Sequence, residues 1–260
     1  MIELINDDCL IALTKLDENS VDLTVTSPPY DNLRTYNGNN AQWGEHVWKS
    51  VIEELYTVTK QGGVVVWVVG DATIKGSETG TSFKQALWAK ECGFNLHDTM
   101  IYQKDNPPPV GGSTRYYQHF EYMFVWSKGT PQTFNASTSP RRNKWNDKRT
   151  ERVKGFTRDK DGNFVKKKVS LVGDVKIGNV WKYVVGGGIS VEYGTGHPAP
   201  FPEKLAHDHI ISWSNEGDIV LDPFMGSGTT GKMAKQLGRN FIGIELDKDY
   251  YEIAKKRMGV

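Results

Sequence analysis

Short apolar runs alternate with amphipathic stretches along most of the chain. The apolar runs have the length of buried strands, and they cover residues 2–5, 21–25, 64–69, 98–102, 219–221 and 241–244. Between them, helical periodicity covers residues 9–16, 47–60, 83–91 and 232–237, and residues 246–260 leave room for one more helix. The alternation predicts an α/β fold with a doubly wound, mainly parallel sheet that helices cover on both faces.

The second apolar run ends in Thr26-Ser27-Pro28-Pro29-Tyr30. Prolines have no backbone N–H to donate, so the local carbonyls and the flanking Ser and Tyr are left to face a ligand. The Ser27 hydroxyl and the Pro28 carbonyl suit the two hydrogens of an exocyclic amino group, and Tyr30 suits stacking on a flipped base. The alternative is a rigid turn that leaves a parallel strand.

A glycine-rich turn, residues 222–231, lies between an apolar run and a helical pattern near the other end of the chain. Strand, turn and helix start together indicate a nucleotide-type cofactor cradle. Glu245 ends the next strand, where a carboxylate can bind both ribose hydroxyls. The spacing of Gly226, Gly228 and Gly231 also fits a dinucleotide fingerprint, so an NAD-type Rossmann oxidoreductase stays open. Too little chain follows Glu245 for another strand, so the sheet must recruit residues 2–5.

These motifs, in this order, resemble the β-class DNA amino-methyltransferases, in which the catalytic motif precedes the target-recognition region and the S-adenosylmethionine motif comes last. The resemblance implies a circularly permuted, Rossmann-like methyltransferase fold with S-adenosylmethionine as cofactor. It assigns catalysis to Ser27, Pro28, Pro29 and Tyr30. It assigns cofactor binding to Asp8, Thr26, Phe201, Asp222, Phe224, Gly226, Ser227, Gly228, Thr229 and Glu245. Phe201 stands where many family members carry a Lys, which favours a packing role there.

The implied reaction is methyl transfer to the exocyclic amino group of a flipped base. Ser at the first motif position indicates cytosine N4, with adenine N6 as the alternative. An oxidoreductase and a catalytically inactive DNA-binding protein are other classes that the sequence leaves open. An RNA or protein amide-nitrogen methyltransferase is a nearer rival, which the motif order and the basic segment disfavour.

Basic residues concentrate in one segment of a nearly neutral chain. Residues 141–168 carry twelve Lys or Arg against four Asp or Glu, a local charge of +8, so the remaining residues sum to −7 in a chain of formal charge +1. A solvated loop is the alternative to a DNA-binding arm. The candidate contacts to double-stranded DNA are Arg34, Arg115, Arg141, Arg142, Lys144, Lys148 and Arg149. We expect a hairpin turn at residues 161–163.

The predicted organisation is a catalytic and cofactor-binding domain, residues 1–129 and 196–260, with an inserted target-recognition region, residues 130–195. Cys9 and Cys92 are too few for a disulfide framework and are expected to be reduced thiols. His207 and His209 are expected on a helix surface, with no metal. No apolar stretch or leader pattern indicates a membrane or export, so a cytoplasmic location is expected. The oligomeric state, monomer or homodimer, and a companion restriction endonuclease are left open.

Overall fold

The computed structural model describes residues 1–30, 43–107, 114–140, 151–170, 174–184 and 202–260 of the 260-residue chain. The chain divides into two compact units. One consists of Met1–Asn135 and Asn179–Val260, and the other of Ala136–Gly178. The larger unit holds the sheet and the helices that pack on it.

The helices are α1 (Cys9–Leu13), α2 (Glu45–Val58), α3 (Thr81–Glu91), α4 (Glu203–Trp213), α5 (Thr229–Gln236) and α6 (Lys248–Met258). The strands are β1 (Ile2–Ile5), β2 (Val21–Thr26), β3 (Thr59–Val69), β4 (Thr73–Ile74), β5 (Ser77–Glu78), β6 (Asn95–Lys104), β7 (Phe120–Ser127), β8 (Thr138–Pro140), β9 (Glu151–Arg158), β10 (Phe164–Ser170), β11 (Asp174–Lys176), β12 (Val180–Tyr183), β13 (Ile219–Asp222) and β14 (Asn240–Ile244). In the part of the chain described, no helix has the length and apolar character needed to cross a membrane.

The large sheet has the strand order β1-β14-β13-β2-β3-β7-β6-β12. Its first five strands are parallel to one another, β7 is antiparallel to both neighbours, and β12 is parallel to β6. The predicted α/β, mainly parallel sheet is therefore confirmed. β12 lies within residues 130–195, the range predicted as the recognition region, yet it pairs with β6 in the large sheet.

The strand nearest the N-terminus, β1, joins the large sheet beside β14, as the sequence predicted. β1 pairs in parallel with β14, and Ile2 lies opposite Phe241 and Ile5 opposite Ile244. The first and last strands of the chain are thus neighbours.

Both faces of the sheet are buried, which explains why its central strand has no polar alternation. Successive side chains of a strand point to opposite faces. Val64, Val66 and Val68 accordingly pack in one apolar cluster, which includes residues of α4, α5 and α6. Val65, Trp67 and Val69 pack in a second cluster with residues of α1, α2 and α3.

β3 begins earlier than the predicted strand at residues 64–69. Its first residue, Thr59, pairs with Val21, and the register then shifts before Leu23 pairs with Val64. Gly62 adopts φ +83° inside the strand, a conformation that favours glycine. The early part of β3 carries a Gly-containing irregularity and little apolar pattern, so apolar periodicity alone did not extend the strand to Thr59.

The expectation that His209 lies on a helix surface is wrong. His209 is fully buried on α4, its ring packs 4.7 Å from that of Trp181, and Nε2 lies 3.2 Å from Met123 Sδ. Burial lowers the pKa of His209 to about 3. The imidazole behaves as a neutral core side chain, because the helix turns this position toward the sheet while its neighbour His207 is partly exposed.

The smaller unit consists of two antiparallel strand pairs, β9 with β10 and β8 with β11. The predicted turn at residues 161–163 is confirmed, since β9 ends at Arg158 and β10 begins at Phe164. The Asp159 carboxylate accepts hydrogen bonds from the backbone N–H groups of Asp161 and Asn163, both at 2.9 Å, and so closes the turn.

Candidate active site at the carboxyl edge of the sheet

The predicted site residues of the two motifs meet at one edge of the large sheet. Thr26 ends β2, Asp222 ends β13, and Glu245 directly follows β14. These three strands are adjacent and parallel, so their carboxyl ends are at the same edge. Ligand sites of open α/β sheets lie at this edge. Residues that are far apart in the sequence are therefore brought into one candidate site.

The glycine-rich turn between β13 and α5 requires glycine at two positions. Gly226 has φ +50° and Gly228 φ +79°, both in the left-handed region. Gly228 is also the N-cap of α5, and no side chain caps this helix start. A helix start without a side-chain cap is suited to an electron-rich ligand.

Asp222 holds the end of β2 against this turn. Asp222 is 1% exposed, and its carboxylate accepts hydrogen bonds from the Thr26 hydroxyl at 2.7 Å and the Phe224 N–H at 3.1 Å. Burial raises the pKa of Asp222 to about 6. Asp222 therefore ties the catalytic-motif strand to the glycine-rich turn.

Glu245 lies across the same turn and keeps acceptor capacity for a ligand. Its Oε2 accepts from the Gly226 N–H and its Oε1 from the Asp247 N–H, both at 2.8 Å. A carboxylate offers about four acceptor sites, so these two bonds leave part of the group unused. Burial raises the pKa of Glu245 to about 7. Asn6 braces the segment by donating to the Glu245 carbonyl at 2.8 Å.

Asp8 follows β1 and Phe224 follows β13, the two strands that flank β14. Asp8 is the N-cap of α1, and its Oδ1 accepts from the Leu10 N–H at 2.8 Å. Phe224 makes edge-to-face ring contacts with Trp43 at 5.3 Å and Trp67 at 6.2 Å. Aromatic packing of this kind fixes the ring orientation beside the turn.

Arg257, which no sequence pattern singled out, binds the glycine-rich turn. This guanidinium on α6 donates to the Ser227 carbonyl at 2.8 Å, the Ser227 hydroxyl at 2.9 Å and the Thr229 hydroxyl at 3.3 Å. It also pairs with Glu203 at 2.9 Å. The hydroxyls of Ser227 and Thr229 thus serve the turn itself. Arg257 lies in a Lys/Arg-rich last helical turn, where sequence does not distinguish it from a solvated cation.

The catalytic motif continues from β2 with Ser27 half-buried, Pro28 buried and Pro29 and Tyr30 half-buried. The Ser27 hydroxyl lies 2.9 Å from Tyr30 Oη. Tyr30 Oη in turn contacts Glu121 Oε2 at 2.9 Å and the Val68 carbonyl at 3.2 Å. Glu121 Oε1 pairs with Lys104 Nζ at 2.7 Å. Glu121 and Lys104, on β7 and β6, are further residues near this motif that sequence reasoning did not identify.

Several predicted site residues lie outside the described residues: Arg34, Phe201, Arg141, Arg142, Lys144, Lys148 and Arg149. Arg115 is described, and its guanidinium is 3.6 Å from Glu78 Oε1 and donates to the Gly76 carbonyl. Its contact with DNA stays a prediction. Both cysteines are free, and burial raises the pKa of Cys9 to about 12 and that of Cys92 to about 11.

The family model N6_N4_Mtase, described as DNA methylase, matches residues 21–256. The orphan methyltransferase M.BamHII of Bacillus amyloliquefaciens is 54% identical over 92% of this chain and 89% of its own length. The crystal structure of M1.HpyAVI in complex with SAM has a TM-score of 0.65 at 25% identity and covers 100% of both chains. PvuII DNA methyltransferase, described as cytosine-N4-specific, has a TM-score of 0.72 at 20% identity over 98% of this chain and 86% of its own, a likeness of fold.

The chain belongs to the DNA methylase family of N4- and N6-amino-methyltransferases. It is a Rossmann-like DNA amino-methyltransferase, and its cofactor is S-adenosylmethionine. The sequence-based identification of the family and the cofactor is confirmed, and the oxidoreductase alternative is excluded. The hydrogen-bond acceptors at the sheet edge fit this cofactor, because Glu245 retains acceptor capacity and Oδ2 of Asp8 has no hydrogen-bond partner among the described residues.

Proposed function

We propose that this enzyme methylates cytosine N4 in double-stranded DNA, with Ser27, Pro28, Pro29 and Tyr30 forming the base site. The observation that supports the proposal is the position of Ser27 directly after β2, at the sheet edge where β13 ends in Asp222 and Glu245 follows β14. In this proposal an amino-group acceptor and the cofactor-binding residues share one edge of the sheet.

The Ser27 hydroxyl and the Pro28 carbonyl accept the two hydrogens of the amino group in this account. Those hydrogen bonds withdraw the nitrogen lone pair from the aromatic ring and direct it at the electrophile. When bound, S-adenosylmethionine would supply an electrophilic methyl group: its S–CH3 bond would break as the N–CH3 bond forms, S-adenosylhomocysteine would leave, and the methylated nitrogen would release one proton to solvent. The Tyr30 ring stacks on the flipped base.

Glu245 and Asp8 bind the nucleoside part of the cofactor in this proposal. Glu245 accepts from the ribose hydroxyls with its unused acceptor sites, and Asp8 Oδ2 accepts from the adenine amino group. The turn of Gly226, Ser227, Gly228 and Thr229 shapes the cradle. Thr26, Asp222 and Phe224 fix its edges through the contacts described above.

The smaller unit is proposed to bind DNA, as part of a recognition region that also takes in the basic residues at 141–149. In its hairpin, Arg158 pairs across the strands with Phe164, and Phe156 pairs with Lys166. Phe156 is 64% exposed and Phe164 71%. The Arg158 guanidinium lies 4.9 Å from the Phe164 ring centroid. One face of the ribbon therefore alternates cations and aromatic rings, which suits phosphate pairing and base stacking.

Cytosine N4 is preferred over adenine N6 because Ser27 occupies the first motif position, where the resemblance associates Ser with cytosine. Both amino groups offer the same hydrogens to Ser27, so the preference needs a direct chemical test.

Mixed-sequence duplex DNA incubated with the enzyme and S-adenosylmethionine, then digested and analysed by nucleoside mass spectrometry, provides that test. We expect N4-methylcytosine and no increase in N6-methyladenine. N6-methyladenine alone would overturn the cytosine assignment and leave the enzyme class intact. Absence of both from mixed-sequence and unmodified genomic DNA, with cofactor binding retained, would count against duplex DNA as the substrate.

The relative with 54% identity is named an orphan methyltransferase, and we infer that this enzyme likewise acts without a companion endonuclease.

A further inference from the structure

A hydrogen-bonded path connects the catalytic motif with a shielded ion pair on the neighbouring strands. It runs from Ser27 Oγ to Tyr30 Oη at 2.9 Å, and from there to Glu121 Oε2 at 2.9 Å. Glu121 Oε1 then meets Lys104 Nζ at 2.7 Å. The side chains of Glu121 and Lys104 are 13% and 17% exposed. Because β7 is antiparallel to β3 and β6, the start of β7 and the end of β6 lie at the carboxyl edge of the sheet.

The direction of each hydrogen bond along this path is determined by the chemistry of its partners. Tyr30 has a single hydroxyl hydrogen. Two of its partners, the Glu121 carboxylate and the Val68 carbonyl, can only accept. The hydrogen of Tyr30 is therefore given to one of them, and the remaining contact requires Ser27 to donate to Tyr30 Oη. Lys104 favours the carboxylate as the acceptor, since a charge-assisted bond is stronger than a bond to a neutral carbonyl.

We propose that Glu121 is a positioning residue that acts through Tyr30 to fix the Ser27 hydroxyl, so that Ser27 presents only lone pairs to the base. This inference rests on the proposed role of Ser27 as the acceptor of the amino hydrogens. Ser27 then accepts from an amino group and repels a carbonyl oxygen at the same ring position. The path thereby makes the active site selective for an amino group.

This selectivity has a clear chemical counterpart in deaminated bases. Uracil differs from cytosine, and hypoxanthine from adenine, by a carbonyl oxygen in place of the amino group. When a carbonyl oxygen faces Ser27 Oγ, the lone pairs of the two oxygen atoms repel each other and neither oxygen receives a hydrogen bond. A site built to bind a donor rejects an analogue that lacks it much more strongly than an apolar pocket would.

The test measures DNA binding and turnover on a duplex in which the methylated base has been located. Matched duplexes carry either the target base or its deaminated counterpart, and dissociation constants are measured with S-adenosylhomocysteine present. The variants are Tyr30→Phe, which removes only the hydroxyl, Glu121→Gln, and the two combined. Asp105→Asn is the matched control, because Asp105 follows Lys104 and forms a more exposed ion pair with Lys182 at 2.6 Å.

We expect Glu121→Gln and Tyr30→Phe each to reduce the preference for the amino base over its deaminated counterpart about 10-fold, as expected for one misdirected hydrogen bond. We also expect kcat to fall while the dissociation constant of S-adenosylmethionine is unchanged. The loss of amino-to-carbonyl preference in the double variant should be no larger than the loss in the more impaired single variant, because either change already interrupts the path. Asp105→Asn should behave as wild type in every assay. A deaminated base is mismatched in the duplex and flips out more easily than the paired target base. Because this difference is the same for every variant, it cancels when the amino-to-carbonyl preference is compared between variants.

An unchanged amino-to-carbonyl preference in both single variants would overturn the inference, as would fully additive losses in the double variant. Tyr30→Phe keeps the test decisive where Glu121→Gln affects folding. Ser27→Ala distinguishes failure of the proposed role of Ser27 from failure of the positioning role of Glu121. If Ser27→Ala abolishes transfer and the path variants keep their preference, only the positioning role fails. If Ser27→Ala leaves transfer intact, the proposed role of Ser27 fails and the positioning role with it.

Discussion

Two carboxylates at the sheet edge have different partners and therefore different roles. Asp222 bonds to the Thr26 hydroxyl and the Phe224 N–H, which makes it a link between β2 and the glycine-rich turn. Glu245 bonds to two backbone N–H groups and keeps acceptor sites for a ligand. Burial raises the pKa of both groups, to about 6 and about 7.

Cofactor affinity should consequently depend on pH near neutrality. A protonated Glu245 accepts ribose hydroxyls less well than the carboxylate does, so affinity for S-adenosylmethionine should weaken as the pH falls through about 7, by at most tenfold per pH unit. Glu245→Gln should lose about 1.5–3 kcal/mol of binding at pH 8, as expected for hydrogen bonds to a charged group. It should also flatten the pH dependence.

Isothermal titration calorimetry of the DNA-free protein between pH 6 and pH 8 measures both effects. Glu252→Gln, an exposed acid on α6, is the control and should bind as wild type. A Glu245→Gln variant with wild-type affinity at pH 8 would remove Glu245 from the cofactor site.

Some site residues could be predicted from the sequence because their type and neighbours are constrained. Gly226 and Gly228 need positive φ, and Ser27 precedes two prolines at the end of a strand. Arg257 and Glu121 could not be predicted. Each looks like an ordinary surface charge in the sequence, and only the tertiary structure directs it at a motif that is distant along the chain.

At the scale of elements, α6 stabilises the turn before α5. Arg257 reaches from the last turn of α6 to Ser227 and Thr229, and Glu203 of α4 pairs with both Arg257 at 2.9 Å and Lys232 at 2.5 Å. Three helices are thereby connected through one shielded cluster that contacts the glycine-rich turn.

Arg257→Met should loosen this turn. We expect cofactor affinity to fall by about 1–2 kcal/mol and the melting temperature to fall by several degrees, since Glu203 and the Ser227 carbonyl lose a charged donor. Lys256→Met, exposed on the same helical turn, is the matched control. Calorimetry and thermal unfolding check both values. Equal behaviour of the two variants would mean that Arg257 does not support the cradle.

The β9–β10 hairpin should contribute to DNA binding through its exposed rings. Phe164→Ala should weaken DNA binding by about 1–3 kcal/mol, the range for loss of one stacked base. S-adenosylmethionine affinity should be unchanged. Leu87→Ala, which removes a 60% exposed side chain from α3, is the control. Fluorescence anisotropy with labelled duplex DNA measures the effect, and wild-type affinity in Phe164→Ala would exclude this ring from the interface.

Across the protein, the alternating apolar runs predicted the α/β class and the mainly parallel core, and the strand-like run at residues 2–5 predicted that β1 joins the sheet beside β14. It did not predict that β3 starts at Thr59 or that His209 is buried. The irregularity at Gly62 interrupts the apolar pattern at the start of β3. Histidine is compatible with both a core and a surface position, so its residue type did not predict burial. The placement of β12 in the large sheet depends on its pairing with β6, which no local pattern encodes.

Buried His209 should make the fold sensitive to acid. Its folded pKa of about 3 lies below the ordinary value of 6.5, so the unfolded chain binds a proton that the folded protein excludes. Its contribution to stability is present above pH 6.5 and is lost as the pH falls toward 3, by about 1.4 kcal/mol per pH unit. His209→Leu should reduce the slope of unfolding free energy against pH over this window.

Urea unfolding between pH 4 and pH 7 measures that slope, with His207→Gln on the same helix as control. The buried carboxylates act in the opposite direction. The folded pKa values of Asp222 and Glu245 are raised, so their contribution is present at low pH and lost as the pH rises through about 6 and 7. The comparison between His209→Leu and wild type removes their common contribution. An unchanged slope would contradict a neutral buried imidazole.

In the proposed function, Ser27, which directly follows β2, accepts the amino hydrogens of the target base. The most direct measurement is single-turnover transfer of a tritiated methyl group to duplex DNA by wild type and Ser27→Ala, with S-adenosylmethionine affinity measured in parallel. The account predicts a loss of about 100-fold or more in the transfer rate, comparable to removal of one key transition-state hydrogen bond, at unchanged cofactor affinity. Wild-type transfer by Ser27→Ala would contradict it.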